Sequence, residues 1–305
     1  MAKNEKYDTF SNDDSEAQSS LKKPSVRLLS FQDLPTWQKE NEFIFHGYRP
    51  EFKNTLECVN SLYYMHNETI NIYTHLIPGI VMVLAEGLFS QYLDTYYPNA
   101  TQWDRAVFGF FIFTAVVLFL MSSAYHTMYC HSEDVSYLWL KIDFIGIVTL
   151  MIGDFVSGIY FIFYCEPHLQ RLYWTMIFTL GFLCFFILLN PRFQGPRYRK
   201  IRIFTFVSTG LSGFAPIIHG VWLFGVEKMM LQSGMPFYIV EGFFLLSGVV
   251  FYATRFPESR WPGKFDIWFS SHQIFHVLVV LATLVQCAGI ILAFDYNYMH
   301  RQCTA

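Results

Sequence analysis

The chain has 305 residues, 53% of them hydrophobic, 19% aromatic and only 15% charged, whereas a soluble domain carries about 25% charged residues. Its net charge of −3 excludes the basic surface that nucleic-acid binding requires. Six cysteines at irregular spacing, with no C-x-x-C, argue against both a disulfide framework and a thiolate zinc site. Several stretches reach the roughly 20 mostly apolar residues of a membrane span. The composition therefore predicts an all-α fold, a polytopic membrane protein with a seven-transmembrane helix bundle.

Residues 1–42 are poor in apolar side chains and read as a disordered cytosolic tail without the apolar core of a cleavable signal peptide. Residues 43–70 form a juxtamembrane segment, also cytosolic. It opens on Phe43-Ile44-Phe45-His46-Gly47-Tyr48-Arg49-Pro50, and Leu56, Val59, Leu62 and Tyr63 then recur at helical spacing. That pattern predicts a short amphipathic helix at the membrane surface. Residues 71–294 hold the seven spans, at about 71–92, 105–127, 138–164, 171–190, 203–226, 236–255 and 270–293, with boundaries good to a few residues. Residues 295–305 are a short outer tail.

Orientation follows from lysine and arginine in the flanking segments. Lys3, Lys6, Lys22, Lys23, Arg27, Lys39, Arg49 and Lys53 precede the first span. Arg192, Arg197, Arg199, Lys200 and Arg202 lie between the fourth and fifth spans; Arg255, Arg260 and Lys264 lie between the sixth and seventh. The opposite side has only Arg105, Arg171, Lys228 and Arg301. The amino terminus is therefore expected in the cytosol, with the protein integral to the plasma membrane or an endomembrane.

His272 and His276 stand one helical turn apart, so both imidazoles can reach one metal ion. Alternating span directions bring three more groups to their depth: His126 and Ser122 at the end of span two, and Asp143 at the start of span three. Three histidine nitrogens and a water make the open tetrahedral site typical of catalytic zinc. Asp143 reads either as a fourth ligand or, as we take it, as the base that holds the metal's water. Ser122 would orient a ligand or bind a substrate carbonyl, unless it only bonds its own helix backbone. Cys130, one turn beyond His126, is an alternative ligand that three histidines make unnecessary. His75 reads as an interfacial residue. Asp154, His219 and Glu241 read as buried hydrogen-bonding partners away from the site, although carboxylates inside a membrane are costly.

Three sequence pieces resemble adiponectin receptors, of the progestin and adipoQ receptor (hemolysin III-related) family. They are His126-Thr127-Met128-Tyr129-Cys130-His131-Ser132-Glu133, Lys141-Ile142-Asp143-Phe144-Ile145-Gly146, and the run from Pro262 to Val280. His46-Gly47-Tyr48-Arg49-Pro50 and His66-Asn67-Glu68-Thr69-Ile70-Asn71-Ile72-Tyr73-Thr74-His75 are similar too, with a cast closer to the fungal branch. The resemblance implies zinc on His126, His272 and His276, with Asp143 reaching the metal through water. It implies a lipid-filled cavity with ceramidase-like activity in some members and receptor signalling in others. Zinc, sterol and lipid homeostasis are implied for the fungal branch. Two functions follow as expectations: an intramembrane zinc hydrolase acting on a ceramide-like lipid amide, or a signalling receptor with structural zinc whose ligand is a fatty acid or sterol. A zinc transporter fits less well, because no ladder of ligands crosses the membrane.

Overall fold

Long apolar runs with few breakers dictate helices, and the computed structural model, which describes residues 27–193, 196–300 and 303, is helical apart from one isolated bridge between Leu29 and Tyr48. The helices are α1 (Thr55–Asn60), α2 (Thr69–Tyr96), α3 (Gln102–Met128), α4 (Glu133–Ile162) and α5 (Pro167–Leu189), then α6 (Arg199–Leu211), α7 (Phe214–Phe224), α8 (Val226–Gln232), α9 (Met235–Thr254) and α10 (Ser271–His300). Seven segments are long and apolar enough to cross a membrane: α2, α3, α4, α5, α6 with α7, α9 and α10. This is the expected bundle, with helix ends within a few residues of the expected spans except at the end of α10.

Local chemistry sets the breaks. Thr101 and Asp104 form a capping box at the start of α3, and Pro167 opens α5 where its missing N–H costs nothing. The fifth span bends at Ser212–Gly213, where Pro216 just inside α7 removes a backbone donor. Gly234, at φ +67°, turns the chain into α9; a Cβ there would stand 2.7 Å from the Gly289 carbonyl oxygen of α10.

Packing divides the bundle. Phe108, Phe111, Phe119, Phe161, Ile290 and Phe294, from α3, α4 and α10, fill a close core. The most apolar stretches of α3 and α4 are 56% and 61% buried, whereas those of α6–α7 and α9 are only 17% and 11%. A cavity of about 810 Å³ lies between these two sides.

Three expectations are corrected. Residues 27–42, read as part of a disordered tail, fold over one end of the bundle: Leu34 and Gln38 are buried, Tyr129 donates to the Gln38 carbonyl, and Arg255 donates to that of Glu40. These contacts with distant parts of the chain are what sequence composition cannot reveal; the rest of the predicted tail lies outside the described residues. The outer tail is shortened because α10 continues to His300, held by Tyr97 on Asp295 and by Asn297 on the Gln232 carbonyl. A disulfide does exist, joining Cys165 to Cys303 across 138 residues of sequence. The predicted amphipathic helix is α1 followed by a 3-10 turn, with Leu56, Val59 and Tyr63 exposed.

Candidate metal centre

The end of α3 and the start of α10 bring His126, His272 and His276 together. One nitrogen of each lies within 4.8 Å of the others, so the group could hold a metal ion. The Nε2 atoms of His126 and His272 are 3.3 Å apart. Two imidazole nitrogens on one tetrahedral zinc, each at about 2.0–2.1 Å, stand about 3.3–3.4 Å apart, so the spacing fits that ion.

The neighbours set the direction of each ring. His126 donates from Nδ1 to Glu68 Oε2 at 2.8 Å, and His276 donates from Nδ1 to the Asn71 carbonyl at 3.1 Å. A histidine that gives its Nδ1 proton away presents a lone pair at Nε2. Such lone pairs are what the three-histidine group could offer a metal ion. His272 Nδ1 has no partner among the described residues.

Two layers hold this arrangement. Glu68, just before α2, also accepts from Asn71 Nδ2 at 2.6 Å. Arg49 is buried and donates from Nη2 to the His126 carbonyl at 2.6 Å and from Nη1 to the Thr127 carbonyl and Ser61 Oγ. It thus satisfies the carbonyls that the end of α3 would otherwise leave open.

The remaining predicted groups sort clearly. Asp143 and Ser122 are buried, face one another beside His126, and line the cavity that reaches the three histidines. Asp143 Oδ1 has no hydrogen-bond partner among the described residues. Cys130 turns away, its sulfur 3.7 Å from that of Cys58 in a separate buried cluster. His219 pairs with Tyr173 at 2.9 Å, outside the site. His75 was underestimated: it is buried and stacks on His276 with ring centroids 3.9 Å apart. Glu68 was missed as a site residue; its one sequence signal was Glu68-x-x-Asn71-x-x-x-His75, polar positions spaced to share a face at the start of a span.

The haemolysin-III-related family model matches residues 63–287. The chain is 38% identical to the progestin and adipoQ receptor-like protein 1 of Caenorhabditis elegans over 265 residues, 87% of this chain and 60% of that protein. Identity is 35% to the adiponectin receptor protein of Drosophila melanogaster, covering 92% of this chain and 62% of that protein. It is 34% to the ADIPOR-like receptor IZH2 of Saccharomyces cerevisiae, covering 90% and 86%. The chain thus spans about three-fifths of the two animal relatives and most of the yeast one. With seven apolar spans and these relatives, the chain belongs to the haemolysin-III-related family of integral membrane proteins, alongside the progestin and adipoQ receptors.

Proposed function

We propose that this protein is a zinc-dependent intramembrane hydrolase of a lipid amide, ceramidase-like in its chemistry and coupled to lipid and zinc homeostasis signalling. The observation that carries the reading is the pair of Nε2 atoms 3.3 Å apart, opening onto a cavity that Asp143 and Ser122 also line. His126, His272 and His276 would hold the metal. Zinc there supplies Lewis acidity toward a carbonyl and acidifies its water.

The protein's own groups do the rest. Asp143 accepts the proton of the attacking water and returns it to the departing amine, a general base and then a general acid. Ser122 donates a hydrogen bond to the substrate carbonyl. Leu118, Ile147, Leu245 and Val279 line the cavity with apolar surface for an acyl chain.

The metal end belongs, in this reading, to the cytosolic leaflet. Lysines and arginines concentrate at that end. The Cys165–Cys303 disulfide ties the opposite end, where an oxidising compartment would form it. A second reading, a signalling receptor with structural zinc, draws on the receptor names of the relatives and on the way the three histidines and Glu68 tie α2, α3 and α10 together.

The deciding experiment follows fatty acid released from an N-acyl sphingoid lipid by purified protein, with His272→Ala as the metal-free blank. Zinc-dependent release supports the hydrolase. Its absence on every lipid amide and ester tried would leave the receptor with structural zinc.

A further inference from the structure

A second polar cluster lies deeper in the same cavity. On α4, Asp154 is one turn before Gly158; on α9, Glu241 is one turn after Tyr238. The two helices meet where a Cβ on Gly158 would stand 2.8 Å from the Tyr238 hydroxyl. Because α4 and α9 run in opposite directions, stepping back one turn on α4 and forward one turn on α9 leads to the same depth. The carboxyls of Asp154 and Glu241 therefore share a level, and both line the cavity. Behind Tyr238 on α10, and not itself lining the cavity, the Gln286 amide faces the Tyr238 hydroxyl, short of hydrogen-bond geometry.

Three of these groups have buried polar atoms without a partner among the described residues. Asp154 Oδ1, the Tyr238 hydroxyl and both amide atoms of Gln286 are buried without a partner. Gln286 is 0% exposed and Glu241 is 8% exposed, and no basic side chain pairs with either carboxyl. Three helix-borne polar groups without partners, with the Glu241 carboxyl at their level, mark a place where a ligand or water supplies the missing bonds. The helix rise gives the depth: His276 to Gln286 and Asp143 to Asp154 each span about 15 Å.

We propose that Asp154, Tyr238, Glu241 and Gln286 form a polar floor that selects an amphiphile carrying a hydroxyl or amine part-way along its chain, about 15 Å from the group held at the metal end. A plain alkyl chain would leave all four groups unpaired, and such sites discriminate strongly against analogues that lack the bonding group. Donor-and-acceptor chemistry fits this role better than a metal site does, since among the described residues no third histidine, cysteine or carboxyl joins these two carboxyls as a ligand set. The proposal rests on the reading that the cavity accepts an acyl chain.

Ricinoleate and oleate test it, because they differ only in one hydroxyl part-way along the chain. Binding of each to purified full-length protein in nanodiscs is measured by calorimetry. The expected result is a preference of at least about tenfold for ricinoleate in the wild type, the worth of one buried hydrogen bond. That preference should fall to near one in Tyr238→Phe and Glu241→Leu, with oleate binding and bound zinc unchanged as proof of folding. Equal binding of the two acids by the wild type overturns the floor, as does a preference that both variants retain. Failure of both acids to bind overturns the acyl-chain reading beneath it and the floor with it. A floor that instead takes up zinc in a His126→Ala, His272→Ala, His276→Ala background, and loses it on Glu241→Gln, overturns the proposal in favour of a second metal site.

Discussion

Two polar clusters share one cavity and differ in how their atoms are held. At the metal end, Glu68 and the Asn71 carbonyl take the Nδ1 protons of His126 and His276, and Arg49 fastens the backbone beneath. At the floor, Asp154 Oδ1, the Tyr238 hydroxyl and the Gln286 amide reach no partner among the described residues. Burial and cost are comparable, since both clusters sit within or at the edge of apolar helices. What separates them is a supporting layer. A cluster with one could hold a fixed small ion; a cluster without one suits, in the proposal above, something that brings its own hydrogen bonds.

The largest expected effect is at the supported cluster. His276→Ala, like His126→Ala and His272→Ala, should bring bound zinc to background by elemental analysis and lower the melting temperature, because the ion joins α3 to α10. Cys130→Ser should keep full zinc, since its sulfur faces Cys58. Retention of zinc in all three histidine variants would remove the metal centre.

Asp143→Asn comes next. Three histidines remain, so zinc should stay, while release of fatty acid drops at least about a hundredfold because an amide cannot take the water's proton. Unchanged turnover would strike Asp143 from the chemistry. Zinc lost together with turnover would restore it as a ligand.

Part of this contrast was legible from sequence. Hydropathy located the spans, and alternating direction put Ser122, His126, Asp143, His272 and His276 at one depth, because a span's end and the next span's start share a leaflet. What surrounds a site was harder to read. Glu68 lies in a turn before α2, and only the lean of that turn toward α3 brings it to His126. His75 looked interfacial because nothing in its own helix shows that His276 will stack on it. The Cys165–Cys303 bond joins a loop to the far carboxyl end, a pairing that spacing cannot encode. Asp154 and Glu241 were expected to have partners, since burial without them is rare. Hydropathy was equally silent on packing: the most apolar stretches of α4 and α9 have mean hydropathies of 1.9 and 1.6, yet they are 61% and 11% buried.

A smaller effect tests the supporting layer itself. Glu68→Ala should weaken zinc about 10- to 100-fold, the usual loss when a ligand's outer partner is removed. Glu68→Gln, which still accepts the His126 Nδ1 proton, should lose less. Competition with a chelator gives the affinities, and the visible spectrum of the cobalt-substituted protein reports whether the ligand field shifts. Identical affinities for wild type and Glu68→Ala would mean that the His126 ring is held by packing alone.

The smallest effect has the opposite sign and completes the contrast. Glu241→Leu removes a buried carboxyl for which the described residues offer no hydrogen bond and replaces it with apolar volume. Exchanging an unsatisfied polar group for a hydrocarbon of similar size is commonly neutral or stabilising, so a gain of about 1 kcal/mol is expected. Glu68→Ala removes a carboxylate that His126 and Asn71 both use, so the melting temperature of the zinc-loaded protein should fall. Both variants delete one acid from the same bundle, and thermal unfolding in one detergent compares them directly. If Glu241→Leu also lowered the melting temperature, its carboxyl would have a structural partner, and the floor would be part of the scaffold.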